Sequence, residues 1–124
     1  MIMKIFVSHS RDFNYKDELY KPIRESILNN KYEFFLPHEN ENSINTKEII
    51  KNSDLILAEV SFPSIGEGIE LGWANMLNVP VLCAHREGAK ISGSLKYLTK
   101  NFIAYKDSTD LVNQITSFLS FYSK

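Results

Sequence analysis

Apolar residues along the chain follow two alternating rhythms. Nearly continuous apolar runs fall at about residues 3–8, 32–36, 54–60, 80–84 and 101–105, each short enough to be a strand. Between them the apolar positions recur every three or four residues, as on a helix that buries one face. Leu19, Ile23 and Ile27 do so within 15–29, and Ile69, Trp73, Met76 and Leu77 within 67–78. Shorter helical pieces fit 46–52 and the stretch from about Gly93, and a last helix fits 109–122. The predicted order is βαβαβαβαβα. The runs KIFV and LILAEV are apolar at nearly every position, as a strand must be when helices cover both faces of its sheet. The fold class implied is α/β: a flavodoxin-like or Rossmann-like three-layer sandwich around a five-stranded parallel sheet of order 2-1-3-4-5. Residues 37–45, PHENENSIN, are the least regular and read as a surface loop.

In that order the topological switch point lies between strands one and three, and ligands bind beyond the carboxyl ends of the strands there. Two segments meet at it. Ser8, His9, Ser10 and Arg11 follow strand one, and the run from Ser61 to Glu70 follows strand three. Gly66 and Gly68 are expected to allow a close approach that a Cβ would block. Glu70 then falls in the first turns of a helix, facing the strand ends, where the helix dipole and nearby N–H groups are expected to hold it ionised. An oriented carboxylate beside a sugar-sized space can attack an anomeric carbon, or stabilise the charge that develops as a glycosidic bond breaks. The plain alternative is an acid that merely favours a helix start. The glycines read G-x-G-x-x-x-G after strand three, which is not the dinucleotide-binding fingerprint.

Composition narrows the class. A chain of 124 residues with 44% hydrophobic content fits one globular domain, residues 1–124. Fourteen basic against 15 acidic side chains give a net charge of −1, which argues against a nucleic-acid binder working through phosphate contacts. No segment is long and apolar enough to span a bilayer, and the opening MIMKIFVSHS reads as a strand instead of a signal peptide. The single cysteine, Cys83 in VPVLCA, cannot form an internal disulfide and reads as a small buried hydrophobe. Three scattered histidines do not make a metal site, so neither metal nor organic cofactor is expected, in a cytoplasmic setting. His9 is the one histidine in a predicted site loop. Trp73, Met76 and Leu77 read as core or dimer contacts.

The block DLILAEVSFPSIGEGIELGWA resembles the signature of the nucleoside 2-deoxyribosyltransferase superfamily. In that signature an acidic-apolar strand runs into Pro-Ser or Pro-Asp, a glycine pair and Glu-Leu-Gly-x-Ala. Arg11 followed by Leu19-Tyr20, the run VPVLCAHRE and the run from Ile91 to Leu95 are similar to the branch that hydrolyses 2'-deoxynucleoside 5'-monophosphates. The resemblance implies cleavage or transfer at the N-glycosidic bond of a (deoxy)nucleoside 5'-monophosphate, with Glu70 matching the catalytic glutamate at C1'. It implies that Ser64 receives the 5'-phosphate, helped by Arg11 and by Ser92 or Ser94, and that a homodimer shares the active site. Free-nucleoside transferases tend to carry aspartate at the Ser64 position. An aspartate would repel a phosphate dianion, whereas a hydroxyl and helix N-terminal N–H groups can receive one. Ser92 and Ser94 can equally be helix caps.

Two positions depart from the family pattern. Thr46 stands where the family has an acid on the short helix before strand three, with Glu39, Glu41 and Glu48 nearby as substitutes. Ile5 stands where the family has a tyrosine. The opening KIFVSHSRDF also resembles bacterial TIR domains, some of which cleave the nicotinamide bond of NAD. The Glu-Leu-Gly-x-Ala block is absent from the TIR pattern and favours the first resemblance. A non-catalytic nucleotide-binding module is the remaining class.

Overall fold

The computed structural model describes residues 2–40 and 44–122. Part of the expected loop at 37–45, with Glu41, lies outside the described residues. Five parallel strands, β1 (Lys4–His9), β2 (Glu33–Phe35), β3 (Leu55–Glu59), β4 (Val81–Arg86) and β5 (Phe102–Tyr105), form one sheet. Their order is β2-β1-β3-β4-β5, as the alternating runs predict. Five short or long helices accompany them: α1 (Lys21–Arg24), α2 (Leu28–Lys31), α3 (Lys47–Lys51), α4 (Ile65–Met76) and α5 (Ser108–Tyr122).

The period of two along each strand divides the core. Ile5, Val7, Leu55, Leu57 and Leu82 pack on one face with Ile23 of α1 and Leu111, Ile115 and Leu119 of α5. Phe6, Ile56, Ala58, Val81 and Cys83 pack on the other with Ile50 of α3 and Leu71 and Ala74 of α4. Both faces are therefore covered, which is why β1 and β3 are apolar at consecutive positions. The same alternation aims the last residues of β1. Ser8 continues the Phe6 face toward α4, and His9 continues the Val7 face toward α1.

The helix expected over 15–29 is broken. A π-helical turn, Lys16–Tyr20, leads into α1, and α2 follows only after an interruption. Pro22 has no N–H to give the Glu18 carbonyl, and the Ser108 hydroxyl occupies that carbonyl instead. Ser26 ends α1 by turning its hydroxyl onto the Ile23 carbonyl while accepting from the Leu28 N–H. A serine that offers the backbone such alternatives competes with helix continuation. The short helix expected from Gly93 is a 3-10 turn, Gly93–Tyr97. α4 starts earlier than its apolar spacing suggests, because Ser64 caps it by accepting from the Glu67 N–H. Just beyond its end Asn78 takes φ 59°, a left-handed position that asparagine tolerates.

Candidate active site

Glu70 lies in the second turn of α4, on the flank facing β1 and α3. Ser8 Oγ donates to its Oε1 at 2.8 Å, and Thr46 Oγ1 donates to its Oε2 at 2.8 Å. The two donors come from the carboxyl end of β1 and from the residue that begins α3, so three elements converge on one carboxylate beside the switch point. Burial pushes the Glu70 carboxyl above its ordinary value, and the Ser8 and Thr46 hydroxyls pull the other way. The structure thus corrects one expectation. Side-chain hydroxyls hold this carboxylate, and no backbone N–H does so among the contacts described.

Among the described residues, the acids near Thr46 do not take its place; Glu41 lies outside them. Glu39 is clamped by Arg24, whose Nε and Nη2 donate to its two oxygens at 2.7 and 2.8 Å. Glu48 is exposed on α3. Thr46 itself reaches Glu70, a role that its chemistry allows because a hydroxyl can donate where a second carboxylate would repel.

His9 is buried and holds structure together. Its Nδ1–H donates to the Ser10 carbonyl at 2.7 Å, which leaves Nε2 to accept from the Tyr20 hydroxyl at 2.5 Å. The same hydroxyl accepts from the His38 N–H. Burial, foremost, and the nearby His38 and Arg11 depress His9 to about 4, so at neutral pH it is an uncharged ring wedged among Phe13, Tyr15 and Tyr20. Ser10 is buried, and its hydroxyl accepts from the Asp12 N–H. Arg11 is exposed.

Ser64, Gly68, Ser92 and Ser94 line a cavity of about 550 Å³ between α4 and the 93–97 turn. Lys90 and Glu67 share its wall, together with Phe62, Leu71 and Leu95. Glu70 and Arg11 are not on that wall. Three of the predicted phosphate residues, Ser64, Ser92 and Ser94, are therefore brought together beside one flank of α4, whereas Arg11 is not among them and Glu70 lies on a neighbouring flank of the helix. Ser92 also caps its turn by accepting from the Ser94 N–H at 3.3 Å. A Cβ at Gly66 or Gly68 would meet no described protein atom within 4 Å, so neither glycine is required by packing within the chain. Three further residues were not singled out for the site from sequence. Glu67 is one, although its spacing to Leu71 and Ala74 places it on the buried face of α4. Lys90 on the cavity wall and Tyr20 beside His9 are the others.

Glu59, at the end of β3, is a second buried carboxylate. It accepts from the Ser61 N–H and hydroxyl and from the Tyr105 hydroxyl. Cys83 is buried as expected, its thiol pushed up to about 12 chiefly by burial. Trp73 and Leu77 pack against the α4 side of the core, whereas Met76 is exposed. Among the described residues no cluster of His, Cys, Asp or Glu could hold a metal ion, and no helix is long and apolar enough to cross a membrane.

The fold and its switch-point carboxylate define a flavodoxin-like α/β protein with a cleft at the strand ends. No protein-family model matches the chain. A Syntrophotalea carbinolica protein, provisionally named a 2'-deoxynucleoside 5'-phosphate N-hydrolase, is 46% identical over 41 residues, 33% of this chain and 29% of its own length. A Methanosarcina barkeri protein of the same provisional name is 32% identical over 74 residues, 57% of this chain and 46% of its own length. The matched stretch thus spans less than half of either relative. Among solved structures, a CMP N-glycosidase from Clostridium botulinum superposes with TM-score 0.68 at 19% identity, over 94% of this chain and 99% of that one. A 2-deoxyribosyltransferase from Leishmania mexicana gives TM-score 0.57 at 18% identity, over 79% of this chain and 73% of that one. Parts of the sequence are thus similar to proteins named as nucleotide N-hydrolases, and the fold is shared with an N-glycosidase and a deoxyribosyltransferase.

Proposed function

We propose that the chain cleaves, or transfers from, the N-glycosidic bond of a (deoxy)nucleoside 5'-monophosphate, with Glu70 acting at C1'. The observation that carries this reading is the Glu70 carboxylate, half-buried at the switch point and fixed by the Ser8 and Thr46 hydroxyls. Fixing both oxygens orients the group, and partial burial removes water that would otherwise blunt it as a nucleophile. A Glu70 oxygen bonds to C1' as the C1'–N bond breaks, and the departing base keeps the electron pair and takes up a proton. Water then attacks C1' and gives up a proton to solvent, replacing the one the base took up, so that the sugar 5-phosphate leaves and the carboxylate is restored. In transfer, a nitrogen of a second base attacks instead.

A nucleotide lying across the first turns of α4 would place its phosphate against Ser64, the helix N-terminus and Ser92 or Ser94, with the exposed charge of Arg11 at the rim of the β1 loop. The names of the relatives and of the CMP N-glycosidase support nucleotides as the substrate class. In this reading residues 1–124 act as one domain, in the cytoplasm, and as a homodimer. Support for the dimer comes from the outer face of α4, where Ile65, Ile69 and Met76 stand exposed in a stripe, Ile65 at 87% and Met76 at 81%. Sedimentation of the wild type beside Ile65→Lys tests it, and a monomeric wild type would refute it.

The decisive assay incubates the chain with deoxynucleoside monophosphates, free deoxynucleosides and NAD, and follows base release by chromatography beside Glu70→Ala. Release from monophosphates that disappears in the variant is the expected result. No release from any substrate, or equal release by the variant, refutes the catalytic reading and leaves a nucleotide-binding module. Release from NAD alone would favour TIR-like chemistry.

A further inference from the structure

Glu67 carries a polar atom that the rest of the fold leaves unanswered. The residue is 5% exposed, and its Oε2 is buried without a hydrogen-bond partner among the described residues. Such a group costs free energy until something pairs with it, and an orphaned buried atom calls for a ligand or a function. Glu67 lines the cavity between α4 and the 93–97 turn, in company with Ser64, Lys90, Ser92 and Ser94. Three hydroxyls, an ammonium and the α4 N-terminus are equipment for an anion. An ionised Glu67 would spoil that equipment by repulsion.

The surroundings of Glu67 keep its proton on. Burial acts first, then the charges of Glu59 on β3 and Glu70 on α4, and together they push it up to about 9. From β4 it faces the Cys83 thiol, itself pushed up to about 12. Tyr105 of β5 stands behind Glu59, and Lys90 is the cation on the cavity wall. In its acid form the carboxyl carries one O–H donor and can answer an acceptor directly.

We propose that Glu67 is a hydrogen-bond donor in an anion subsite between α4 and the 93–97 turn, completing with Ser64, Ser92, Ser94 and Lys90 the recognition of a phosphate monoester. This rests on the reading of the chain as one that acts on nucleoside 5'-monophosphates, and it assigns part of their recognition to a residue outside the Glu70 cluster. The O–H donates to a phosphate oxygen and keeps its proton, because a dianion close by favours the neutral carboxyl still more.

Binding measurements on the full chain test the subsite, with inorganic phosphate, 2-deoxyribose 5-phosphate and 2-deoxyribose as probes at about pH 7.5 and about pH 9.5. The wild type is expected to lose about fourfold in affinity for both phosphates over that interval, since only the neutral form of a group with pKa about 9 binds. Glu67→Gln keeps a donor without a titrating proton. It should therefore bind phosphates at the lower pH as the wild type does and escape the added pH loss, which also controls for lysine titration. Glu67→Leu should weaken both phosphates about tenfold and leave 2-deoxyribose unchanged. A circular-dichroism melt verifies that both variants fold, as they should with the orphan acid gone. Inorganic phosphate bound without sugar phosphate would mark a free-anion site and refute recognition of a monoester. Equal phosphate affinity in wild type and Leu variant, the same pH loss in the Gln variant, or no phosphate binding by the wild type would overturn the proposal. Failure of the glycosidase reading looks different, with no base released while Glu67-dependent phosphate binding persists.

Discussion

The hydroxyl of Thr46 donates a 2.8 Å hydrogen bond to Oε2 of Glu70, at a position where the resembling family carries an acid. A threonine there neutralises nothing, but it orients the carboxylate and favours its ionised form, as Ser8 does from the other side. Thr46→Val keeps the shape and removes the donor. A hydrogen bond to a charged group contributes about 1.5–3 kcal/mol, so base release should fall about tenfold or more. The pH profile carries the sharper signature. In the proposed mechanism catalysis needs the carboxylate, and losing a donor moves Glu70 further up from its ordinary value, so the acid limb of kcat/KM should shift to higher pH. An unmoved limb would separate Thr46 from Glu70 function.

What the sequence made legible follows from where each signal resides. The parallel three-layer architecture could be read because β1 and β3 are covered on both faces and so are apolar at consecutive positions, and the strand order followed from the flavodoxin-like topology that this architecture implies. The break in the first helix could not be read from apolar spacing, since it is made by a polar side chain, the Ser26 hydroxyl donating to the Ile23 carbonyl and accepting from the Leu28 N–H. Glu70 stood out through its neighbours in sequence, whereas its partner Thr46 is 24 positions away and meets it only through the packing of α3 on α4. Glu67 was hidden by an ordinary habit of helices. An acid in a first turn is unremarkable until its spacing with Leu71 and Ala74 shows that it points inward.

Ser64→Asp tests phosphate preference directly. Aspartate is a good helix N-cap, so α4 should keep its start and the fold its stability. A new carboxylate on the cavity wall would repel a dianion, so affinity for a deoxynucleoside monophosphate should fall about tenfold or more while affinity for the free nucleoside changes little. Paired titrations of the two ligands check this. Equal losses would remove Ser64 from the phosphate subsite.

Tyr105→Phe addresses the other buried carboxylate. Glu59 is 1% exposed and accepts from Ser61 and from the Tyr105 hydroxyl, which joins β5 to β3 across β4. Removing that hydroxyl leaves a buried acceptor short of a donor, at a cost of about 1–3 kcal/mol. Urea unfolding should show a lower midpoint with an unchanged slope. An unchanged midpoint would mean that Ser61 alone satisfies Glu59.

Glu67 should make the stability of the fold depend on pH in an uncommon direction. In the folded chain it keeps its proton up to about 9, whereas the ordinary value is 4.5. Below about 4.5 both states hold the proton and Glu67 adds no pH dependence. Between the two values the unfolded state has lost the proton and the folded state has not, so stability falls as pH rises. Above about 9 both are ionised and the loss is complete. His9 works oppositely: lowered to about 4 from 6.5, it makes stability rise with pH between those values as the unfolded state sheds its proton. The two effects overlap in mild acid, so the difference between wild type and Glu67→Gln is the informative quantity. Melting curves should show Glu67→Gln gaining on the wild type as pH is raised from about 5 to about 8.5, by an amount on the order of a few kcal/mol. A constant difference across that range would show that the buried carboxyl ionises in the fold much as it does in water.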